Sequence, residues 1–295
     1  MSTNLQQAST AFATRFKKGL THQEQQLYTK IATVVQSTSA STGYGFLDQV
    51  PKIREWLGSR VLHALNDYEY EIKNKKFEAT VRVPRTDFED NDYGKYGLLF
   101  EDFGREADSF PNDYVFNLLK NGHQNTCIDG QNFFDTDHPV GHQDPQSVRN
   151  LYTDGNPVNE GWYLLDTSRV IQPLIWQERV KPMMTSLNKE ENENVFLHDE
   201  YLYGIRARGN AGYAFWQLAA RCTNALMDVN FSEVYDSMCS LKGDNGSPLG
   251  IKPNLLIVPP SQRQAAHALI KRQFLENGES NINFEAVEIM VCPYL

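Results

Sequence analysis

The stretch from Phe77 to Gly122 most constrains what this chain can fold into. Phe77, Ala79, Val81 and Val83 fall on one side of an extended backbone and Glu78, Thr80 and Arg82 on the other, a period of two that predicts a strand. Pro84 has no N–H to give to a ladder and ends it. Beyond the acids Asp87, Glu89, Asp90 and Asp92 the spacing changes to three and four, and Leu98, Leu99, Asp102 and Phe103 predict a helix running towards Asp108. Ser109 and Pro111 predict a fresh start, with proline in the first turn and Asp113 near the positive helix end. Tyr114, Val115, Leu118 and Leu119 supply the second apolar face, and Gly122 a stop. One strand hands over to a long helix broken once, with Leu98, Phe103, Val115 and Leu119 expected to seat it on a sheet of the same chain. Nothing in the stretch carries catalytic chemistry.

Composition narrows the function classes. The 295 residues allow one to three domains, and a mean hydropathy of -0.52 points to a polar surface or extended polar segments. Lys+Arg 28 against Asp+Glu 37 gives a net charge of -9, which argues against wrapping nucleic acid while leaving room for a local basic face. Cys127, Cys222, Cys239 and Cys292 form no C-x-x-C pair and read as free thiols in a reducing compartment. The first residues lack the cationic start and apolar run of a signal peptide, and no apolar stretch approaches a membrane span. A cytoplasmic site of synthesis and no membrane partner are expected.

Residues 1–45 are rich in Ser, Thr, Gln and Ala and read as an arm. Leu27, Ile31, Val34 and Val35 predict a short amphipathic helix within it, and residues 37–45 a flexible joint. Ile53, Trp56, Leu57, Val61 and Leu65 share the face of a helix. Tyr68, Tyr70 and Ile72 alternate with acids, and across the break at residues 73–76 they predict a hairpin with the strand from Phe77. Such a ribbon cannot bury both its faces alone, so it leans on something else. Residues 123–165 are punctuated by Gly and Pro and read as a loop-rich insertion. Residues 168–185 read as an edge or irregular strand broken by Pro173 and Pro182. A second strand runs from Phe196 to Arg208, with Tyr201, Tyr203 and Ile205 on one face. A buried helix is expected from Ala211 to Met227, a short helix over 230–241, and a Gly-rich turn over 242–250. A buried strand over 254–258, a helix capped by Ser261 and a closing strand over 284–291 make a terminal α/β unit. Helices and strands mix without strict alternation, so the class is α+β.

Two clusters invite a chemical reading. Asp135, Asp137, His138 and His142 could hold a divalent metal that activates water, as in a metal-dependent hydrolase. Their setting in a Gly/Pro-rich loop favours the ordinary reading, a turn held by side-chain-to-backbone bonds. Residues 204–212 (GIRARGNAG) resemble a phosphate cradle opening a helix, with Arg206 and Arg208 as anion or DNA partners, but the glycine spacing of a true cradle is missing. No G-x-S-x-G elbow is present. No catalytic residue, cofactor or metal is therefore expected, and the abundant aromatics, Tyr 14 and Phe 16, fit a protein of large contacts.

Long runs of the chain resemble one family. REWLGSR (54–60), NKKFEATVRVPRTDFEDND (74–92), FGREA (103–107), PNDYVFNLLKNG (111–122), CIDGQNFFDTDHP (127–139), YLYGIRARGNAGYAFWQLAA (201–220) and PNLLIVPP (253–260) are similar to the major head (capsid) proteins of Mu-like tailed bacteriophages and prophages. The resemblance implies the tailed-phage major capsid protein fold of the Hong Kong phage type, with N-terminal arm, extended loop, spine helix, peripheral domain and axial domain. It implies residues 1–45 as the arm, 46–66 as a peripheral-domain helix and 67–86 as the extended hairpin loop. Residues 87–125 become the spine helix with part of the peripheral domain, 126–165 the loop-rich insertion, 166–249 a mixed peripheral and axial region, and 250–295 mostly the axial unit. It further implies a structural protein that forms hexamers and pentamers and closes an icosahedral shell around double-stranded DNA. Scaffolding, portal and decoration proteins are the expected partners, the virion the destination, and the bacterial host cytoplasm the place of assembly. On this reading Tyr68, Tyr70, Phe77, Val81 and Val83 are candidates for a subunit interface.

Overall fold

The computed structural model describes residues 2–21, 26–44, 70–90, 92–141, 146–155, 160–243, 246–275 and 278–295. In chain order the elements are α1 (Ser2–Gly19), β1 (Ala32–Gln36), β2 (Ser41–Gly43), β3 (Glu71–Lys73), β4 (Lys75–Pro84), α2 (Arg85–Glu89), α3 (Tyr96–Ser109) and α4 (Pro111–Lys120). Then follow β5 (His138–Val140), β6 (Gln146–Val148), β7 (Leu151–Tyr152), β8 (Trp162–Leu165), β9 (Leu174–Leu187), α5 (Glu193–His198) and β10 (Glu200–Tyr213). The chain closes with β11 (Ala219–Cys222), α6 (Asp228–Cys239), β12 (Leu255–Val258), α7 (Arg263–Lys271) and β13 (Glu288–Val291). This mixed content is α+β, as expected.

The strand feeding a broken helix is present. β4 ends at Pro84, α3 ends at Ser109, and α4 restarts with Pro111 in its first turn. A four-stranded sheet of order β1-β9-β10-β4 carries this helical layer. Phe100, Phe103 and Ala107 form the inward stripe of α3, while Leu98, expected to seat the helix, is 76% exposed. The stripe is aromatic and starts at Tyr96, which turns Leu98 and Leu99 outward. Val115, Phe116 and Leu119 of α4 are fully buried, as their spacing requires.

The arm differs from its expectation. The stretch read as a helix over 27–35 is a single 3-10 turn at Leu27–Lys30 followed by β1, which pairs in parallel with β9. Its β-branched Ile31, Val34 and Val35 suit a pleated strand better than a helix. The true helix lies earlier. Ala8, Phe12 and Phe16 of α1 recur every four residues and are buried against α3, with Phe12 stacked on Phe100 at 4.3 Å. The crossing is close because both helices carry glycine there. A Cβ on Gly104 would sit 2.1 Å from the Phe16 carbonyl oxygen, and one on Gly19 2.1 Å from that of Glu101. Glu101 accepts from Arg15 (2.9 Å) and Lys18 (2.6 Å) across the seam.

The expected hairpin of residues 67–86 does not form within the described residues. β3 pairs with β2 and β4 pairs with β10, from Pro84↔Glu200 to Lys75↔Gly209. A single residue, Asn74, separates β3 from β4, too little for a two-stranded turn. It donates instead to the carbonyls of Ser39 and Ala40. The buried Gln177 clamps this small ribbon to β9: it accepts from the Tyr44 hydroxyl (2.8 Å) and donates to the Ile72 carbonyl (2.9 Å). Tyr68, His142 and the helix expected over 53–65 lie outside the described residues.

β9 is one continuous strand that Pro182 does not break. Leu174–Glu178 lie between β1 and β10, and beyond them β9 pairs with β10 alone among the described residues, so Pro182 stands on an edge where the register shifts and its missing N–H breaks no ladder bond, as expected of an edge or irregular strand. The glycine run read as a phosphate cradle lies inside β10, where no helix begins. Its glycines make room: a Cβ on Gly209 would meet the Gln177 carbonyl oxygen at 2.6 Å, and one on Gly212 the Ile72 side chain at 2.1 Å.

The second sheet has order β13-β12-β8-β11-β7, so two strands of the supposed insertion, β7 and β8, belong to it. The helix expected over 211–227 is instead the end of β10, a 3-10 turn at Trp216–Leu218 and β11. All four residues of each of β8, β11 and β12 are buried, Arg221 of β11 included, so no alternation with an exposed face is left to tell helix from strand. Alternate residues face opposite cores. Tyr163, Leu165, Leu255 and Ile257 pack towards α4 and the aromatics of β9 and β10, and Trp162, Leu164, Leu256 and Val258 pack under α6 and α7. β12, α7 and parallel β13 are the expected α/β unit, though Ser261 bonds Glu160 rather than capping α7.

Candidate functional site: a buried polar cluster and the open sheet surface

Among the described residues, the cluster of convergent chemistry lies where α4 runs into the second sheet. Asn121 closes α4, and Gly122 follows because a Cβ there would be 2.6 Å from the Phe134 ring. A tight turn then forms: the Cys127 N–H donates to the Gln131 carbonyl (2.8 Å), and the Gly130 N–H to that of Cys127 (3.1 Å), with Gly130 at φ 84 where other residues are strained. The turn drops Phe133 and Phe134 into the core, Phe133 stacked on Tyr213 at 4.3 Å, and starts β5 at His138.

His138 is fully buried and lies flat on Trp216 at 3.9 Å. Its Nδ1 stands 2.7 Å from Asp129 Oδ2, and its Nε2 3.2 Å from Asn150 Oδ1. The Cys127 thiol donates to Asp129 Oδ1 (3.1 Å), as does the Gln131 N–H (3.1 Å). Burial pushes the Cys127 thiol far above its usual range, and the Asp129 charge adds to this. Burial also works against the Asp129 carboxylate, but its bonds to His138 and Cys127 outweigh it and hold the group below the ordinary value.

Of the residues singled out for a metal, the structure joins Asp135 to Asp137 but not to His138. Asp135 accepts from the N–H groups of Asn132 (3.2 Å) and Thr136 (2.8 Å), which is a turn-holding role. Asp137 is exposed, and its hydrogen bond to Asp135 raises it. His138 faces Asp129 instead. Sequence reasoning missed Cys127 and Asp129, whose nearness to His138 appears only once the Gly130 turn is drawn.

The second surface is the outside of the four-stranded sheet. Within one chain, Phe77 packs on Tyr114 (4.8 Å) and Phe110 (5.1 Å), Val83 is fully buried, and the Tyr70 hydroxyl takes the Tyr213 N–H at 2.6 Å. Among the interface candidates these three are therefore engaged with their own chain: Phe77 and Val83 because their face of β4 lies under its own helices, and Tyr70, just before β3, because it reaches the end of β10. Val81 is half-buried, and the opposite face carries exposed Glu78, Thr80 and Arg82. β4 is also an edge, unpaired on one side among the described residues. Large apolar side chains stand in water nearby: Leu98 (76%) on α3, and Phe196 (85%) with Leu197 on α5 at the tip of the β9–β10 hairpin.

A family model described as the Mu-like prophage major head subunit gpT matches residues 5–295. The chain is 42% identical over 268 residues to a Mu-like prophage FluMu major head subunit of Haemophilus influenzae, covering 89% of this chain and 87% of that one. It is 37% identical over 294 residues to the major capsid protein of Escherichia phage Mu, covering 97% and 96%. Among solved structures, it is similar to a chain of the bacteriophage JBD30 procapsid, with TM-score 0.88, 48% identity and 97% of both chains covered. A chain of the JBD30 capsid gives TM-score 0.79 and 36% identity over 91% and 90%.

Proposed function

We propose, from the premise that this chain belongs to the Mu-like prophage major head subunit family, that it works by geometry rather than by catalysis. It is a structural major capsid protein and not an enzyme, and the near end-to-end likeness to a procapsid subunit carries that conclusion. Its copies build the shell as hexamers and pentamers, in which modest patches on several neighbours add up through symmetry. The four-stranded sheet with α1, α3 and α4 serves as the peripheral domain and spine, and the five-stranded sheet with α6 and α7 as the axial domain.

The contacts fall where the isolated chain leaves work undone. The open edge of β4, Val81 with it, and the exposed apolar tips Leu98, Phe196 and Leu197 meet neighbouring copies. An unpaired edge and uncovered apolar side chains are the two features that association removes from water. Scaffolding and portal proteins and packaged double-stranded DNA complete the partners, with assembly in the host cytoplasm. A decoration protein fits the reading as well, since the related JBD30 capsid is described as decorated with minor capsid protein trimers.

Electron microscopy of the protein expressed alone and with its scaffolding protein tests this. Closed icosahedral particles are expected, and a strictly monomeric protein under both conditions overturns it.

A further inference from the structure

The hydrogen-bond pattern around Asn150 fixes the state of His138. The Asn150 Nδ2 group donates to the carbonyls of Phe133 (2.8 Å), Ala219 (3.1 Å) and Trp216 (3.3 Å). Turning the amide over would set its oxygen against all three. Oδ1 is thus the acceptor, taking the Asp135 N–H at 2.9 Å and facing His138 Nε2 at 3.2 Å. An amide oxygen has no proton to give, so His138 Nε2 carries the hydrogen. In the neutral ring Nδ1 then bears a lone pair, and that lone pair points at the Asp129 carboxylate 2.7 Å away. Two acceptors at that distance repel unless a cation stands between them.

A proton meets this need, but the third group does more than a proton requires. The Cys127 sulfur, one Asp129 carboxylate oxygen and a His138 ring nitrogen all lie within 4.8 Å of one another. We propose that Cys127, Asp129 and His138 bind a thiophilic divalent cation of the Zn²⁺ class. Thiolate, imidazole and carboxylate are the ligand types that ion selects, and tetrahedral geometry with bonds of about 2.0–2.3 Å sets ligand atoms roughly 3.3–3.7 Å apart. The Asp129–His138 pair opens by less than about 1 Å to reach that spacing. Binding releases to solvent the Cys127 thiol proton and any proton bridging Asp129 and His138, and no electrons move. Asn150 stands behind His138 as the acceptor that orients a ligating imidazole. Asp129 is the most exposed of the three, so a water reaches the fourth position from its side.

The ion would pin the turn of residues 127–131 to the start of β5, and so fasten the end of α4 to the second sheet. The test uses the full-length protein, stripped of metal and titrated with Co²⁺. The expected result is tetrahedral cobalt absorption with a thiolate-to-cobalt charge-transfer band at one ion per chain, displaced by Zn²⁺. Cys127→Ser abolishes the charge-transfer band, and Cys239→Ser, at a half-exposed thiol elsewhere, retains it. Zn²⁺ raises the melting temperature of the wild type and not that of Cys127→Ser. Should Cys127→Ser fail to fold, the wild-type titration decides alone. Folded wild type that shows no charge-transfer band and retains no stoichiometric metal overturns the proposal, leaving the bridging proton as the whole account.

Discussion

The two sheets solve different problems. In the five-stranded sheet, β8, β11 and β12 have no exposed residue, and both faces are covered within the chain by α4 on one side and by α6 and α7 on the other. In the four-stranded sheet the cover runs out. β9 starts with four buried residues and ends exposed, β4 shows an open edge among the described residues, and while α1, α3 and α4 cover one face, the small β2–β3 ribbon covers only the start of β9 and the end of β10 on the other. One sheet is finished by its own sequence. The other leaves its margins open, and on the function proposed above those margins are what neighbouring copies complete.

The contrast can be broken by mutation. Leu256→Ala in β12 opens a cavity in a region with no freedom to collapse, and a loss of ~2–5 kcal/mol in the isolated subunit is expected from denaturant melts. Gly104→Ala should cost about 1–3 kcal/mol: the new methyl meets the Phe16 backbone rather than a movable side chain, so α1 and α3 must move apart to admit it. Its signature is local: hydrogen exchange over residues 2–19 should rise while β12 stays protected. Equal deprotection of both would show that the arm and the second sheet are one cooperative unit.

A smaller effect concerns pH. His123 lies against the buried Arg221, and burial first, then that guanidinium, lowers its pKa. A base lowered in the folded state favours folding while neutral. Its contribution is present above the unfolded value of about 6.5 and is lost as pH falls from there through the folded value. Stability should therefore decline as pH falls below about 6.5, and less steeply in His123→Gln. A steeper decline in that variant would contradict the assignment. Smallest in the isolated chain is Phe196→Ser, expected within about 0.5 kcal/mol of wild type, yet lowering the yield of closed particles. A destabilised monomer with unchanged assembly would reverse the contrast drawn between the sheets.

How legible the chain was follows from the same contrast. Where one face meets water the period survives: Tyr201, Tyr203 and Ile205 alternate, and β4 and α4 were found almost to the residue. Where both faces are buried it vanishes, and β11 passed for helix. α1 was hidden by composition, since its Ala8, Phe12 and Phe16 repeat sits among Ser, Thr and Gln and gains meaning only from the glycine crossing with α3. In the polar cluster His138 was visible as chemistry. Cys127 and Asp129 were not, because a turn made by Gly130 and an amide from Asn150, twelve residues beyond His138, bring the group together.

The β2–β3 ribbon has a consequence for the path of the chain. The chain leaves it at Tyr44 and re-enters at Tyr70, and the Tyr44 N–H donates to the Tyr70 carbonyl at 2.9 Å. Gln177 holds the ribbon from below through the Tyr44 hydroxyl and the Ile72 carbonyl, so residues 44 and 70 stand side by side. The register of β1 with β9, and of β9 and β4 with β10, is set by pairings between residues outside the span from 45 to 69, so the ribbon joins the arm to β4 at a fixed point of the sheet.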